Sequence, residues 1–347
     1  METADCVSVL FSVPEKLKET FRYKQGQYLT IRTKINGEEV RRSYSICSSP
    51  LENELRIAIK KMPEGVFSTY ANDLLKKGDL LDVMPPIGKF YTELHPADSK
   101  EYVGFASGSG ITPLISIIKT TLQTELTSNF TLVYGNRNRQ SIIFKEELEA
   151  LKNRYMNRFR EIYILSGEKT DANINFGRID TEKCRLLFDK YIAVKHTDAF
   201  FLCGPENMIF RVKEALESNG INTKKIHFEL FTIPGMGKEK LADKRQRASI
   251  QDNKQSKITI KMDGVSIDFD LGFDSDAILD AAIKQGADLP YACKGGICCT
   301  CRAKLVEGKV DMDVNYGLEP EEIEQGFILT CQSHPRTEKV VVDFDIK

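Results

Sequence analysis

At 347 residues, with 41% hydrophobic and 29% charged side chains, the chain has the make-up of an ordinary soluble globular protein of two or three domains. A formal net charge of −1 argues against a general binder of nucleic acid or of an anionic membrane. No apolar run reaches the length of a membrane span and residues 1–15 lack a basic-then-apolar leader, so a cytoplasmic location is expected, one that keeps the nine cysteines reduced.

Residues 1–97 alternate as short strands between turns. Segments 7–13, 28–35 and 55–61 are strand candidates, Asn36-Gly37 is a hairpin signal, and a helical patch covers 68–76. Many short strands in fewer than 100 residues predict a small antiparallel β-barrel. Within it, Arg42-Ser43-Tyr44-Ser45 alternates along a strand, which sets Arg42 and Tyr44 on the face opposite Ser43 and Ser45. An arginine suits a pyrophosphate, a tyrosine ring suits a planar cofactor, and a serine hydroxyl can reach a ring nitrogen. Gly65-Val66-Phe67-Ser68 then leads into the helical patch. A glycine turn before a helix N-terminus forms an anion site, because free N–H groups and the helix dipole point there; a capped surface turn is the plain alternative.

Residues 98–233 change to strand–helix alternation. Strands are expected at 102–106, 130–134, 161–165, 199–203 and 225–230, with helices near 113–122, 144–151, 181–190 and 205–218. This pattern predicts an α/β parallel sheet covered on both faces, with ligands at the carboxyl ends of its strands. Gly108-Ser109-Gly110-Ile111-Thr112-Pro113 closes the first strand, Thr112 suiting an N-cap and Pro113 the first helical position. Its two glycines leave a bare helix start for a second pyrophosphate, although the spacing falls short of the full dinucleotide fingerprint. Cys203-Gly204-Pro205 repeats the arrangement after the fourth strand.

Residues 234–256 are polar and without period, with a Lys244-Arg245-Gln246-Arg247 run diluted by Glu239, Asp243 and Asp252; a solvated linker is expected. Residues 257–347 suggest a β-grasp α+β unit: a hairpin around Asp263-Gly264, a helix near 276–284, and strands near 303–305 and 340–344. Inside it, Cys293, Cys298 and Cys301 read Cys-x4-Cys-x2-Cys, and Cys331 follows after 29 intervening residues. This is the plant-type [2Fe–2S] spacing, and Gly295 and Gly296 suit a loop that wraps closely around an inorganic core. A zinc ribbon would show a second Cys-x2-Cys pair, which the chain lacks; a disulfide framework is the other alternative.

Taken together, these residues resemble the ferredoxin–NADP⁺ reductase family. Its flavin motif Arg-x-Tyr-Ser matches Arg42, Tyr44 and Ser45, and its phosphate motif matches Gly65, Val66, Phe67 and Ser68. Its nicotinamide-domain motifs match Gly108, Gly110, Thr112 and Pro113, and Cys203, Gly204 and Pro205. With a ferredoxin unit behind the reductase, the resemblance covers essentially the whole chain and looks like the reductase component of multicomponent oxygenases. In particular the chain looks like the reductases of phenylacetyl-coenzyme A epoxidases, which share segments in the style of Tyr134-Gly135-Asn136-Arg137 and Phe228-Glu229-Leu230-Phe231.

The resemblance implies that Tyr44 stacks on the isoalloxazine, Ser45 addresses its N5, and Arg42 neutralises the flavin pyrophosphate. The backbone of Ile59 and Lys60 would line the polar edge of the ring, and 86–90 (Pro-Ile-Gly-Lys-Phe) favours FAD over FMN. Cys203 would sit beside the nicotinamide, Glu229 would bring a carboxylate to the flavin, and Phe231 would cover the ring. A tyrosine in a barrel core and a small buried cysteine are the structural alternatives for Tyr44 and Cys203. Arg137 and Arg139 stand where relatives recognise adenosine, so NADPH is expected over NADH, mere solvation being the other reading. Cys299 would be a neighbour of the ligands and not one of them, because its spacings are not those of the family.

The implied activity takes electrons from NADPH through FAD and a [2Fe–2S] cluster to a partner protein. The implied partner is a di-iron epoxidase; a Rieske oxygenase, a desaturase and a hybrid-cluster protein are alternatives, and a non-catalytic redox sensor is the alternative outside enzymology.

Overall fold

Asn36 and Gly37 have φ of 54° and 85°, the left-handed pair that a two-residue hairpin turn requires. In the computed structural model, which describes residues 1–231 and 254–346, they join strands β2 (Tyr28–Ile35) and β3 (Glu38–Ser45). The register runs from Ile35 opposite Glu38 to Tyr28 opposite Ser45. Strand β5 (Asp82–Val83) lies on the other edge of β2. A second antiparallel pair, β1 (Cys6–Phe11) and β4 (Leu55–Lys60), is joined to the first sheet by a bridge from Ile46 to Ile57. Inward residues Leu29, Ile31, Ile46, Ile57 and Ile59 form one apolar core with Phe67 of helix α1 (Val66–Asp73). The expected helical patch is present but begins two residues earlier, at Val66.

The α/β pattern gives five parallel strands: β6 (Glu101–Ser107), β7 (Asn129–Asn136), β8 (Phe159–Leu165), β9 (Ala199–Gly204) and β10 (Ile226–Leu230). Their order in the sheet is β10-β9-β6-β7-β8. Helices α2 (Ile111–Thr124), α3 (Lys145–Arg154), α4 (Thr181–Lys190) and α5 (Glu206–Ser218) connect them. The chain winds outward from β6 through β7 to β8 and then returns to the other side at β9. The switch point therefore lies between β6 and β9, where an open parallel sheet presents a crevice at its carboxyl edge.

Barrel and sheet are joined within the compact unit Met1–Phe231. Lys119 of α2 is 2% exposed, and its ammonium reaches Glu52 at 2.8 Å and Glu147 at 2.8 Å. Arg56 of β4 meets the same Glu147 at 2.9 Å, and Ser116 Oγ donates to the carbonyl of Ser48 at 2.6 Å. A buried cation held between two carboxylates needs all its partners, because removing one leaves an uncompensated charge. This network ties the 48–52 turn and β4 of the barrel to α2 and α3.

The second unit pairs β11 (Gln255–Met262) with β12 (Val265–Gly272) around Asp263 and Gly264, both at positive φ. The sheet order is β12-β11-β15-β13-β14, with β13 at Arg302–Glu307, β14 at Phe327–Leu329 and β15 at Lys339–Asp343. Helix α6 (Ile278–Lys284) packs Ile278, Leu279 and Ala282 into the core of that sheet. The expected linker, 234–256, lies outside the described residues up to 253. Its end differs from expectation, since Gln255 and Ser256 already pair with Gly272 and Leu271 and Ser256 is fully buried. Also unanticipated are the strand Phe327–Leu329 and the turn of helix Pro320–Glu324, each too short to leave a periodic signature.

Candidate functional site

Three side chains flagged by the sequence meet at the switch point. Strand β3 ends on Ser45, whose Oγ donates to Glu229 Oε2 at 3.0 Å, and β10 places Glu229 directly beside Cys203 of β9. Ser45 and Cys203 are buried and Glu229 is partly buried by its surface, yet its carboxyl sits among protein atoms, and that burial pushes it up to about 7 although the Ser45 hydrogen bond pulls the other way. Burial, with the neighbouring Glu229 carboxylate adding to it, pushes the Cys203 thiol well above its ordinary value. A protonated cysteine of that kind is a packing and positioning group and not a thiolate nucleophile.

The glycine motifs close around this point. A Cβ on Gly110 would lie 2.0 Å from the carbonyl oxygen of Cys203, and one on Gly204 would meet Met208 and Ser107. Glycine is thus required for the two strand ends to lie flush. Gly108 takes φ +54°, and Tyr134 donates its hydroxyl to the Gly108 carbonyl at 2.9 Å. The cap differs from the sequence expectation. A 3-10 turn over Gly108–Gly110 runs into the helix, so Gly110 is the N-cap and α2 begins at Ile111. Thr112 and Pro113 are therefore buried second and third residues of the helix, and Thr112 Oγ1 donates to the Ser109 carbonyl at 3.0 Å.

On the barrel side, Arg42 is exposed and Tyr44 half-buried, its ring 5.5 Å from that of Phe67. Gly65 caps α1 with an ordinary φ; its role is space, since a Cβ there would strike Ser68 Oγ at 2.3 Å. The Ser68 hydroxyl accepts from Met62 N at 3.1 Å and donates to the Gly65 carbonyl, which closes the turn. Phe67 and Ile59 point into the core, so their backbone groups are what they can offer a ligand, and the Ile59 carbonyl already accepts from Asn72. Phe231, 39% exposed, ends the described part of this unit.

A cavity of about 900 Å³ opens at the carboxyl edge of the sheet. It is lined by Gly108 and Pro205 of the glycine motifs, by Arg137, by Lys60, which the resemblance places at the flavin, and by Arg178 and Arg211, which no sequence motif assigns to it. Arg139 is not among the lining residues. It is 62% exposed and turned to Glu168, which also accepts from its backbone N–H at 2.9 Å. Arg178 follows the bridge from Leu165 to Phe176, so the rule that ligands gather at strand carboxyl ends was the available signal for it. Residues Thr3, Ala4 and Asp5 form another wall, with Asp5 Oδ2 3.5 Å from Lys60 Nζ. No sequence pattern announces that wall.

In the second unit, no three His, Cys, Asp or Glu side chains among the described residues close on a single ion-sized point. The four cysteines come together as two pairs instead: Cys293 and Cys298 with sulfurs 3.1 Å apart, and Cys301 hydrogen-bonded to Cys331. Two pairs suit a centre of two tetrahedral irons, each taking two thiolates. The loop between Cys293 and Cys298 has Lys294 at φ +50° and Gly296 at φ +72°, which turns backbone N–H groups inward; Gly295 N donates to Cys293 Sγ at 3.3 Å. The hydrogen bond from Cys298 and the backbone N–H groups of the loop lower the Cys293 thiol, while the same bond raises Cys298. The backbone donors favour a thiolate at Cys293, the form in which cysteine binds iron.

Family models match in the order of the architecture: an oxidoreductase FAD-binding domain over residues 3–91, an oxidoreductase NAD-binding domain over 105–214, and a 2Fe-2S iron-sulfur cluster binding domain over 260–336. The chain is 44% identical over 346 residues to a subunit of the 1,2-phenylacetyl-CoA epoxidase of Escherichia coli (strain K12), a match spanning 100% of this chain and 95% of the relative. The chain belongs to the ferredoxin reductase-type oxygenase reductases. A second relative, the ferredoxin reductase component of a Rhodococcus rhodochrous 3-ketosteroid-9-alpha-monooxygenase, is 31% identical and is matched over 94% of its length. Phthalate dioxygenase reductase, at 22% identity and a TM-score of 0.59, shares the fold over 99% of this chain and 95% of its own.

This oxygenase reductase is therefore an oxidoreductase of FAD, a pyridine nucleotide and a [2Fe–2S] centre, and among its described residues no helix is long and apolar enough to cross a membrane. The Glu229 site makes a pH-dependent contribution to its stability. The folded carboxyl holds its proton to about pH 7, whereas an exposed one loses it near 4.5. The associated stability is full below pH 4.5 and is lost as the pH rises through 7, by about 3 kcal/mol at most. Relative to the parent, Glu229→Gln should thus melt higher near pH 8 than near pH 5. An equal difference at both would mean that this carboxyl is not held protonated.

Proposed function

We propose that the chain is the reductase of a phenylacetyl-CoA epoxidase-type di-iron monooxygenase, drawing on NADPH and working in the cytoplasm. The observation that carries the partner is the 44% identity, end to end, to an epoxidase subunit. A reductase for a different oxygenase is the second reading, favoured by the 31% identity to the ketosteroid monooxygenase component. The test is reconstitution: purified chain, NADPH and the oxygenase subunits of an epoxidase, with phenylacetyl-CoA consumption as readout. Brisk NADPH–ferricyanide turnover without consumption of phenylacetyl-CoA would favour the second reading.

The roles assigned to side chains follow their positions. Arg42 and the N-terminus of α1, at Gly65, Val66, Phe67 and Ser68, bind the FAD pyrophosphate. Tyr44 packs on the ring, and Ile59 and Lys60 face its edge through the backbone. Gly108, Gly110, Gly204 and Pro205 admit the pyridine nucleotide, and Cys203 seats its nicotinamide by shape. Ser45 and Glu229 hold a proton between Oγ and Oε2 at 3.0 Å, ready to exchange with a ring nitrogen. Cys293, Cys298, Cys301 and Cys331 ligate the two irons. When bound, these groups supply hydride acceptance from the nicotinamide and one-electron delivery toward the partner.

NADPH selectivity is assigned to Arg137 and Arg178, both in the cavity wall, and not to Arg139, which Glu168 already occupies. A 2′-phosphate between two guanidinium groups is a charge-assisted contact, so Arg137→Ala with Arg178→Ala should lower kcat/KM for NADPH by about 10- to 100-fold. NADH should change by less than about threefold, and Arg139→Ala should be near neutral for both, as an exposed ion pair implies. Equal losses for the two nucleotides would remove the assignment.

A further inference from the structure

Gln332 follows Cys331 directly, and its side chain turns back over the cysteine loop. The carboxamide Nε2 donates to the carbonyl of Lys294 at 3.0 Å and to that of Cys331 at 2.9 Å, and lies 3.8 Å from Cys331 Sγ, within reach of a sulfur hydrogen bond. Its stem packs over Gly296, where a Cβ would come within 3.0 Å of Gln332 Cγ. The group it grips is itself fixed. Lys294 is a non-glycine residue in the left-handed region, its ammonium pairs with Asp280 at 2.6 Å and also lies 4.6 Å from the Tyr291 ring centroid. One amide thus ties the loop carrying Cys293, Cys298 and Cys301 to the separate segment carrying Cys331, and the N–H that it gives to the Cys331 carbonyl is shared with the sulfur of the same residue.

We propose that Gln332 is a positioning residue that sets the reduction potential of the [2Fe–2S] centre as well as holding its two ligand arms together. The inference rests on the ligand assignment above. Reduction adds one electron, supplied from NADPH, and so one negative charge to the ligated centre. An N–H dipole aimed at a ligand sulfur stabilises that added charge more than it stabilises the oxidised form, and the potential rises accordingly. In the absence of this donor the centre would be a weaker acceptor.

The test uses the full-length holoprotein and two near-isosteric variants, Gln332→Met and Gln332→Glu, with the midpoint of the cluster read by EPR-monitored redox titration. Both variants are expected to keep wild-type iron and sulfide. The equilibrium constant for electron uptake should fall about three- to tenfold, where tenfold corresponds to 59 mV in a one-electron couple. The flavin midpoint serves as internal control and should not move. An unmoved cluster midpoint in Gln332→Met at full cluster content overturns the proposal. Loss of the cluster from both variants, with their apo forms melting as the parent does, overturns it too, because the amide would then serve assembly alone. A wild-type chain without iron and sulfide is a different result, one that sinks the ligand assignment itself and the proposal with it.

Discussion

Replacing Cys298 with serine is expected to strip iron and labile sulfide from the chain while leaving its flavin content at the wild-type level. Cys298 is buried and its sulfur lies 3.1 Å from that of Cys293, so its loss breaks one of the two pairs. A two-iron centre that lacks one of four thiolates keeps an open, hydrolysable iron, and the wild-type content of about two irons per chain should fall to near zero. The flavin side stands apart: the barrel has its own core around Leu29, Ile31 and Ile57, and Met1–Phe231 and Thr232–Lys347 separate as compact units. Cys299→Ser is the control, and should retain the cluster. Iron retained in the first variant and lost in the second would exchange the roles of the two neighbours, and zinc in place of iron and sulfide in the parent would end the cluster assignment altogether.

Much of this site could be read from the sequence, for identifiable reasons. Ser45, Cys203 and Glu229 lie at or next to the carboxyl ends of their strands, and the motifs that carry the family resemblance point to them. Gly110 and Gly204 could be flagged as glycines at strand ends, and the fold shows why: a Cβ on Gly110 would lie 2.0 Å from the Cys203 carbonyl oxygen and one on Gly204 would meet Met208. The parts that could not be read depend on tertiary placement. Arg178 reaches the cavity because residue 176 bridges back to Leu165, and Thr3, Ala4 and Asp5 reach it because the first strand lies beside β4. Arg139 shares the residue type of Arg137, and its pairing with Glu168 depends on the tertiary placement of residue 168. Thr112 obeyed the N-cap preference in type but lost the position to Gly110, since the 3-10 turn starts the helix early. Gln332 was silent, because an amide next to a cysteine has no motif until the loop folds over it.

Ending the chain near Lys244 is expected to separate two activities that the intact protein joins. The fragment keeps Ser45, Cys203 and Glu229, the whole cavity lined by Arg137 and Arg178, and the Lys119 network that holds barrel against sheet. None of these residues depends on a described contact beyond Phe231, the last residue of the first compact unit. It should therefore bind FAD and oxidise NADPH with ferricyanide within about twofold of the full-length rate, as an autonomous unit does. Cytochrome c accepts electrons one at a time and cannot enter a buried site, so its reduction should fall to about a tenth or less once the four cysteines are gone. Loss of ferricyanide activity together with FAD would mean that the first unit needs the second in order to fold. Undiminished cytochrome c reduction would be the more damaging result, because electrons would then leave from the flavin and the iron-sulfur centre would not be their exit.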